Sequence, residues 1–312
     1  MSELNPSTLN NWLKFKHLCL IETLARTQNM HLTAEQMNLS QPAISKMLKE
    51  IEHLIGFAIF ERLPRSMPVT ALGQHVVNYA QCALNDAQHF VEDIETLRLG
   101  GHGYLKVGGI FAATAIVIPQ AIIAIKQKWP LLSIDVVEQT SDHLMQMLSE
   151  HTLDLAIGRF TNPTQTNLFE FQPLCPEPFC IVVNEQHPLA QQKHCNLSEL
   201  IEWPWVLYPK GTPIRDRMER AFIRANVKLP QNTVNTISMQ TFLQILQHSP
   251  TVGMLPEAMV SQHIAEGRLH ILETGLKLEA QDYGILTRKG ENISAISQAF
   301  IQLLLENKIN NI

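Results

Sequence analysis

Residues 31–56, HLTAEQMNLSQPAISKMLKEIEHLIG, set two short helical patterns almost end to end. Helices joined by so brief a turn can bury their apolar faces only by crossing one another. The first pattern, 31–39, has Thr33 as its N-cap candidate and Gln36 in the capping-box position, and Asn38-Leu39 makes the turn. The second starts at Ser40, a good N-cap, with Pro42 in the first turn where no helical N–H is needed. Gly56 ends it as a C-terminal glycine should. At about 100° per residue, Ala43, Ile44, Met47, Leu48, Ile51, Leu54 and Ile55 share one side of this helix. Gln41, Pro42, Ser45, Lys46, Lys49, Glu52 and His53 share the other. Taken alone, the polar side is a solvated face.

The flanks change that weighing. Upstream, 15–28 (FKHLCLIETLARTQ) is an amphipathic helix with Phe15, Leu18, Leu24 and Ala25 among its inward residues. Downstream, AIFERLPRSMPVT (58–70) reads as two short strands around a Pro-rich loop carrying Arg62 and Arg65. Three helices and a basic hairpin make a winged helix-turn-helix, which lays its second helix in a major groove and its wing on phosphate or a minor groove. Residues 12–71 hold seven Lys/Arg against five Asp/Glu, whereas 72–98 hold one against four and the whole chain is at −5. The basic excess lies only where a polyanion would dock. Gln41, Pro42, Ser45, Lys46, Lys49, Arg62 and Arg65 are the expected DNA contacts. Thr33 either donates to phosphate or simply starts its helix.

One helix should run from 72 to 97. Val77, Ala80, Ala83, Leu84, Ala87, Phe90, Val91, Ile94 and Leu97 form one apolar stripe along it. A solitary helix between domains has no core for that stripe, but a second copy of it would bury the stripe. A homodimer through Ala83, Ala87, Phe90, Val91 and Ile94 is expected, which would set two helix-turn-helix units on two half-sites. LGGHG (99–103) is a hinge. Beyond it strands and helices alternate: 104–109, 113–128, 131–139, 142–149 and 153–158. A second series follows at 179–183, 205–208, 214–225, 232–237, 239–247, 251–255 and 256–265, and the chain closes with 282–287 and 294–307. Alternation of this kind implies parallel sheets with helices on both faces, in two Rossmann-like subdomains. The expected divisions are 1–71 for the DNA-binding domain, 72–98 for the linker helix, and 104–312 for the α/β domain. Within the last, subdomain I covers about 104–173 plus 279–312, and subdomain II about 174–278.

At 312 residues, 45% hydrophobic and 17% charged, the chain has the make-up of a soluble protein of two or three domains. Its most apolar stretch, 108–125, is interrupted by Thr114, Pro119 and Gln120 and is too short to span a bilayer. Residues 1–11 lack the basic and apolar runs of a secretory leader. Five cysteines without CxxC or metal-ligand spacing read as reduced thiols, so a cytoplasmic setting is expected, with no metal or cofactor.

Residues 34–62, followed by VTALG (69–73), closely resemble the N-terminal signature of LysR-type transcriptional regulators. The matches are Ala34, Ser40, Gln41, Pro42, Ala43, Ser45, Glu52, Gly56, Phe60, Arg62, Thr70 and Gly73. Thr33, Met37, Ile51 and Val69 depart from it, none of them at a polar groove position. The order of elements continues the likeness along the whole chain. It implies a dimer of dimers on double-stranded promoter DNA. It also implies an effector domain of periplasmic-binding-protein type, with a small molecule in its cleft. More loosely, 211–222, 235–246 and 252–256 are similar to the branch that regulates sugar-binding-protein and aromatic-acid catabolism genes.

In such a domain the ligand lies outside the carboxyl ends of the strands. That places Ala112, Ala113 and Thr114, then Thr140 and Ser141, then Gly158 and Arg159, around the cleft. Tyr208, Gly211, Thr212, Ser238 and Met239 complete the set. Hydroxyls and N–H groups at helix N-termini suit a carboxylate, so an organic acid is expected, with Arg159 or Arg215 to neutralise it. Helix capping explains each Ser or Thr equally well. An enzyme is disfavoured by the absence of GxSxG, HExxH, P-loop or GxGxxG patterns. A solute-binding protein fits 101–312 but not 1–98. A redox sensor would rest on Cys175 and Cys180, which read better as structural thiols.

Overall fold

The computed structural model describes residue 9 and residues 11–64, 66–276 and 280–310. Its backbone divides into two compact units, one running to Tyr104 and including Gln146–Leu153, the other built on Leu105–Met145 and Asp154 onward.

The first unit carries α1 (Phe15–Thr27), α2 (Met30–Gln36), α3 (Gln41–Ile55) and α4 (Ala71–Arg98). Leu18, Leu20, Ile21 and Leu24 of α1 meet Ile44, Leu48 and Ile51 of α3 in one core with Ile59 and Phe60. Phe15, expected inside, is 60% exposed, because the buried stripe of α1 runs through Leu20 and Ile21 instead. The start of α2 also differs from expectation. Asn29 is its cap, accepting from the N–H groups of His31 and Leu32, which leaves Thr33 in mid-helix. Ser40 caps α3 through the Ala43 N–H, and Gly56 closes it at φ 88°, where a side chain would be strained.

The wing is slighter than two strands. Phe60 and Val69 form one antiparallel bridge, with further bonds from Glu61 N to Pro68 O (2.9 Å) and Leu63 N to Ser66 O (3.1 Å). Thr70 then caps α4 through the Gly73 N–H at 2.8 Å. Val77 and Ala80, early in α4, are buried in the same core as α1 and α3. The first part of the helix is therefore covered by its own domain, which corrects the expectation that its whole stripe is unpartnered. Phe90, Val91, Ile94 and Leu97 remain exposed, and Ala83 and Ala87 are half-buried.

The second unit contains two five-stranded sheets. The strands are β1 (Tyr104–Gly109), β2 (Ser133–Glu138), β3 (Leu155–Gly158), β4 (Phe169–Glu177), β5 (Phe179–Asn184), β6 (Trp205–Leu207), β7 (Thr233–Asn235), β8 (Val252–Pro256), β9 (Leu269–Leu272) and β10 (Gln281–Arg288). Their orders are β2-β1-β3-β10-β4 and β7-β6-β8-β5-β9. The helices that follow α4 in the chain are α5 (Ile118–Lys128), α6 (Ser141–Ser149), α7 (Leu197–Leu200), α8 (Pro213–Arg224), α9 (Met239–His248), α10 (Glu257–Ala265) and α11 (Ala295–Asn310). The C-terminal helix α11 packs on α5 and β4, returning to the first subdomain as expected.

Both sheets are mixed rather than parallel. β1 and β3 run parallel, as do β6 and β8, but β10 is antiparallel to β3 and β4, and β5 is antiparallel to β8 and β9. The chain crosses between sheets at β4–β5 and returns at β9–β10, so each crossing strand enters its new sheet from the opposite end. β4 pairs along its whole length with β10, including Tyr283 with Cys175 and Gln281 with Glu177. Residues 174–177 thus belong to subdomain I, and the division falls near Pro178 rather than at 173. No helix among the described residues is long and apolar enough to cross a membrane.

Candidate functional site

The amphipathic pattern of α3 gives its polar face directly. Ile44, Leu48 and Ile51 are buried, which turns Gln41, Pro42, Lys46 and Lys49 outward, with Ser45 half-exposed. Pro42, Ser45, Lys46, Lys49, Glu50 and His53 line one open groove along the helix. Lys46 lies 4.0 Å from Glu50, an exposed pair that a phosphate can readily displace. Thr33 does not join this face. It is fully buried, and its hydroxyl bonds the Asn29 carbonyl (2.8 Å) and Thr27 Oγ1 (2.7 Å), so the phosphate role is withdrawn. Arg62 reaches Glu52 at 3.3 Å, and the same carboxylate accepts from Ile59 N at 2.9 Å. Arg62 therefore ties the wing to α3 in addition to any contact with DNA. Arg65 lies outside the described residues.

In the second unit, the carboxyl ends of the strands surround a cleft of about 690 Å³, its open mouth included. Its place at the carboxyl ends of the strands is where open α/β sheets hold their ligands. Ile110, Phe111 and Ala112 follow β1, Glu138 to Ser141 close β2 and open α6, and Arg159 follows β3. Glu177 ends β4, Tyr208 and Thr212 follow β6, and Ile214, Ile237 and Pro256 complete the wall. Of the expected set, Ala112, Thr140, Ser141, Arg159, Tyr208 and Thr212 are on the lining. Ala113 is not, being fully buried at the head of a π-helical turn (Ala113–Val117) that precedes α5. Thr114 stands behind the wall and donates to Glu138 at 2.5 Å. Gly158 also lies behind it, since a Cβ there would come within 3.2 Å of Ser141 Oγ. Gly211 is an exposed turn residue, Ser238 caps α9 through the Thr241 N–H, and Met239 is core.

Arg159 is the centre of the cleft's electrostatics. Only 3% exposed, it donates from Nη2 to Oε2 of Glu177, while its Nε has no hydrogen-bond partner. Burial pushes the Glu177 carboxyl up from its ordinary value, and the guanidinium beside it pulls the other way. Burial likewise raises Tyr208, with the Glu177 charge adding to the effect, so its phenol stays neutral. Arg215 is not on the lining: it binds Glu219 (2.6 Å), Asn235 and the Tyr208 carbonyl.

Glu138, Gln139, Glu177, Ile214, Ile237 and Pro256 were missed by sequence reasoning. Glu138 was within reach, being the last residue of a strand whose carboxyl end was rightly placed. Glu177 was hidden because Pro173 and Pro176 disguise β4, a strand that tolerates them only by lying at the sheet edge. Cys180, one of the two thiols on which a redox reading would rest, gives it no support. Burial pushes Cys180 up to about 12 and also raises Cys195, which disfavours the reactive thiolate. No cluster of three metal-ligating side chains occurs among the described residues.

Comparison with known proteins agrees with both halves of the chain. Residues 15–74 match the model of the bacterial regulatory helix-turn-helix protein, lysR family, and residues 99–308 match the LysR substrate binding domain. The regulator GbpR of Azospirillum brasilense is 27% identical over 290 residues, covering 91% of this chain and 85% of that protein. The regulator PcaQ of Agrobacterium fabrum is 24% identical over 265 residues, covering 84% and 85%. Full-length CbnR, solved in complex with its target DNA, superposes with a TM-score of 0.65 at 19% identity, covering 95% of this chain and 100% of that one. With its reading helix, linker helix and two-subdomain cleft in the order these models describe, the chain belongs to the LysR family of DNA-binding transcriptional regulators with an effector-binding domain.

Proposed function

We propose that this regulator binds promoter DNA as a homodimer, and as a tetramer of two such dimers, in the cytoplasm. Gln41 and Ser45 would meet base edges while Lys46, Lys49 and the wing arginines hold phosphate or the minor groove. A small metabolite in the cleft would bias the DNA-bound state. The observation that carries the DNA-binding mode is the division of α3, whose apolar face is consumed by the core while Gln41, Lys46 and Lys49 stay exposed. The exposed end of the α4 stripe, at Phe90, Val91, Ile94 and Leu97, supports pairing of two linker helices.

The test is binding of the full chain to duplexes from the DNA flanking its own coding sequence, as a function of salt. Specific binding is expected, and Lys49→Ala should lower the slope of log K against log salt by about 1. An unchanged slope would remove the Lys49–phosphate contact, and absence of a specific site would reject the promoter reading. An organic acid was the ligand expected from helix N-termini. The Arg159–Glu177 pair changes that weighing.

A further inference from the structure

We infer that the cleft selects an uncharged, polyhydroxylated ligand over carboxylic acids, and that Glu177 and Glu138 set this choice. The inference rests on the reading of the cleft as the effector site.

Glu138, Glu177 and Arg159 are the charged side chains of the lining, two anions against one cation. The cation is already spent on Glu177. The N-termini of α6 and α8, marked on the wall by Ser141 and by Thr212, contribute roughly half a positive charge each, so the wall as a whole is near neutral. An entering carboxylate meets two of its own kind or takes Arg159 from Glu177. The second course leaves a buried carboxylate without its partner, which is strongly unfavourable. A hydroxyl needs neither.

The remaining chemistry suits hydroxyl groups. One oxygen of Glu138 accepts from Thr114, and one of Glu177 from Arg159. A carboxylate offers about four acceptor sites, so lone pairs remain for hydroxyl donors. Arg159 Nε is a donor still without a partner. The Gln139 amide can both give and accept, Thr140 carries a hydroxyl, and the Thr212 oxygen, whose proton goes to the Pro209 carbonyl, can accept, while Phe111 and Tyr208 add aromatic surface to the lining. A cationic ligand would find its two carboxylates, but one of them holds a guanidinium that repels it.

The test uses the full chain in thermal-shift and calorimetric titrations. The probes are the common aldopentoses and aldohexoses, each beside its uronic acid, its aldonic acid and its 2-amino sugar. At least one uncharged sugar is expected to raise the melting temperature, with little or no rise from its acid or amine at equal concentration. Glu177→Gln should bring the acid's Kd closer to the sugar's, by about tenfold for each 1.4 kcal/mol of repulsion removed. Because that variant removes the counter-charge of buried Arg159 and so weakens the fold, Glu138→Gln, at an exposed position, is the second probe and should shift the ratio in the same direction. An acid or amino sugar as the tightest binder, a panel without any binder, or an unmoved ratio in both variants overturns the inference. Ile237→Trp, at the exposed rim, should abolish binding. Sugar binding that survives it with the charge preference intact would instead overturn the assignment of the ligand to this cleft.

Discussion

Glu52 lies on the polar arc of α3, yet its carboxylate serves the protein. It accepts from the N–H groups of Ile59 (2.9 Å) and Phe60 (3.4 Å) and pairs with Arg62 at 3.3 Å. Those two amides are part of the wing's root and have no strand partner there, so Glu52→Ala should cost about 1–3 kcal/mol for the orphaned donors, read from urea unfolding. Glu52→Gln should recover part of that loss, and equal losses from both would mean the charge rather than the acceptor matters. His187 makes the contrasting case of a buried titratable group. Its Nδ1 accepts from Leu189 N at 3.1 Å and its ring meets Trp203 edge-on at 4.4 Å. Burial pushes its pKa below the ordinary 6.5, with the Pro250 backbone opposing. Above 6.5 the ring is neutral folded or unfolded and contributes nothing to the pH dependence. As pH falls below that value the unfolded chain takes the proton first, so stability drops until the folded value is passed. The urea midpoint should therefore fall between pH 7 and 5.5, and His187→Gln should blunt the fall. An identical fall in the variant would assign it to other groups.

At the scale of elements, the joint between wing and linker helix is the least tolerant. A Cβ on Gly73 would stand 2.1 Å from the Ile59 carbonyl oxygen, a backbone atom that cannot step aside. Gly73→Ala should destabilise the first unit by about 1–3 kcal/mol or more, as overpacking does, and so lower its melting temperature. A neutral result would show that the helix start can slide. The helix-turn-helix and the long helix were legible because their residues repeat at the helical period over many turns, which local spacing alone reveals. β4 and β9 were not. The first carries two prolines inside it, which disguise a strand held at the sheet edge, whereas the second is no shorter than β3, so its length does not account for the miss. Thr33 was misplaced for a related reason: Asn29 and Thr33 can each cap a helix, and only the burial of Thr33 in the core decides between them.

For the molecule as a whole, the exposed stretch of α4 matters most. Phe90 is 66% exposed and Ile94 41%, on a helix whose early residues are already covered. Phe90→Asp with Ile94→Asp should yield monomers in sedimentation, with both units still folded and DNA affinity sharply reduced; an intact dimer would sink the helix-pairing idea. The amino-acid sequence by itself determined the winged helix-turn-helix, the linker helix, the alternating α/β order and six of the cleft residues. Each of these depends on short-range periodicity or on a residue's place at the end of a strand. Only the tertiary structure decided that both sheets are mixed, that Val77 and Ala80 are core rather than interface, and that Glu177 holds Arg159. All three depend on which distant segments meet. Arg159 follows β3 and Glu177 ends β4, separate strands of one sheet, and no local pattern tells a cation awaiting an acid from one already neutralised.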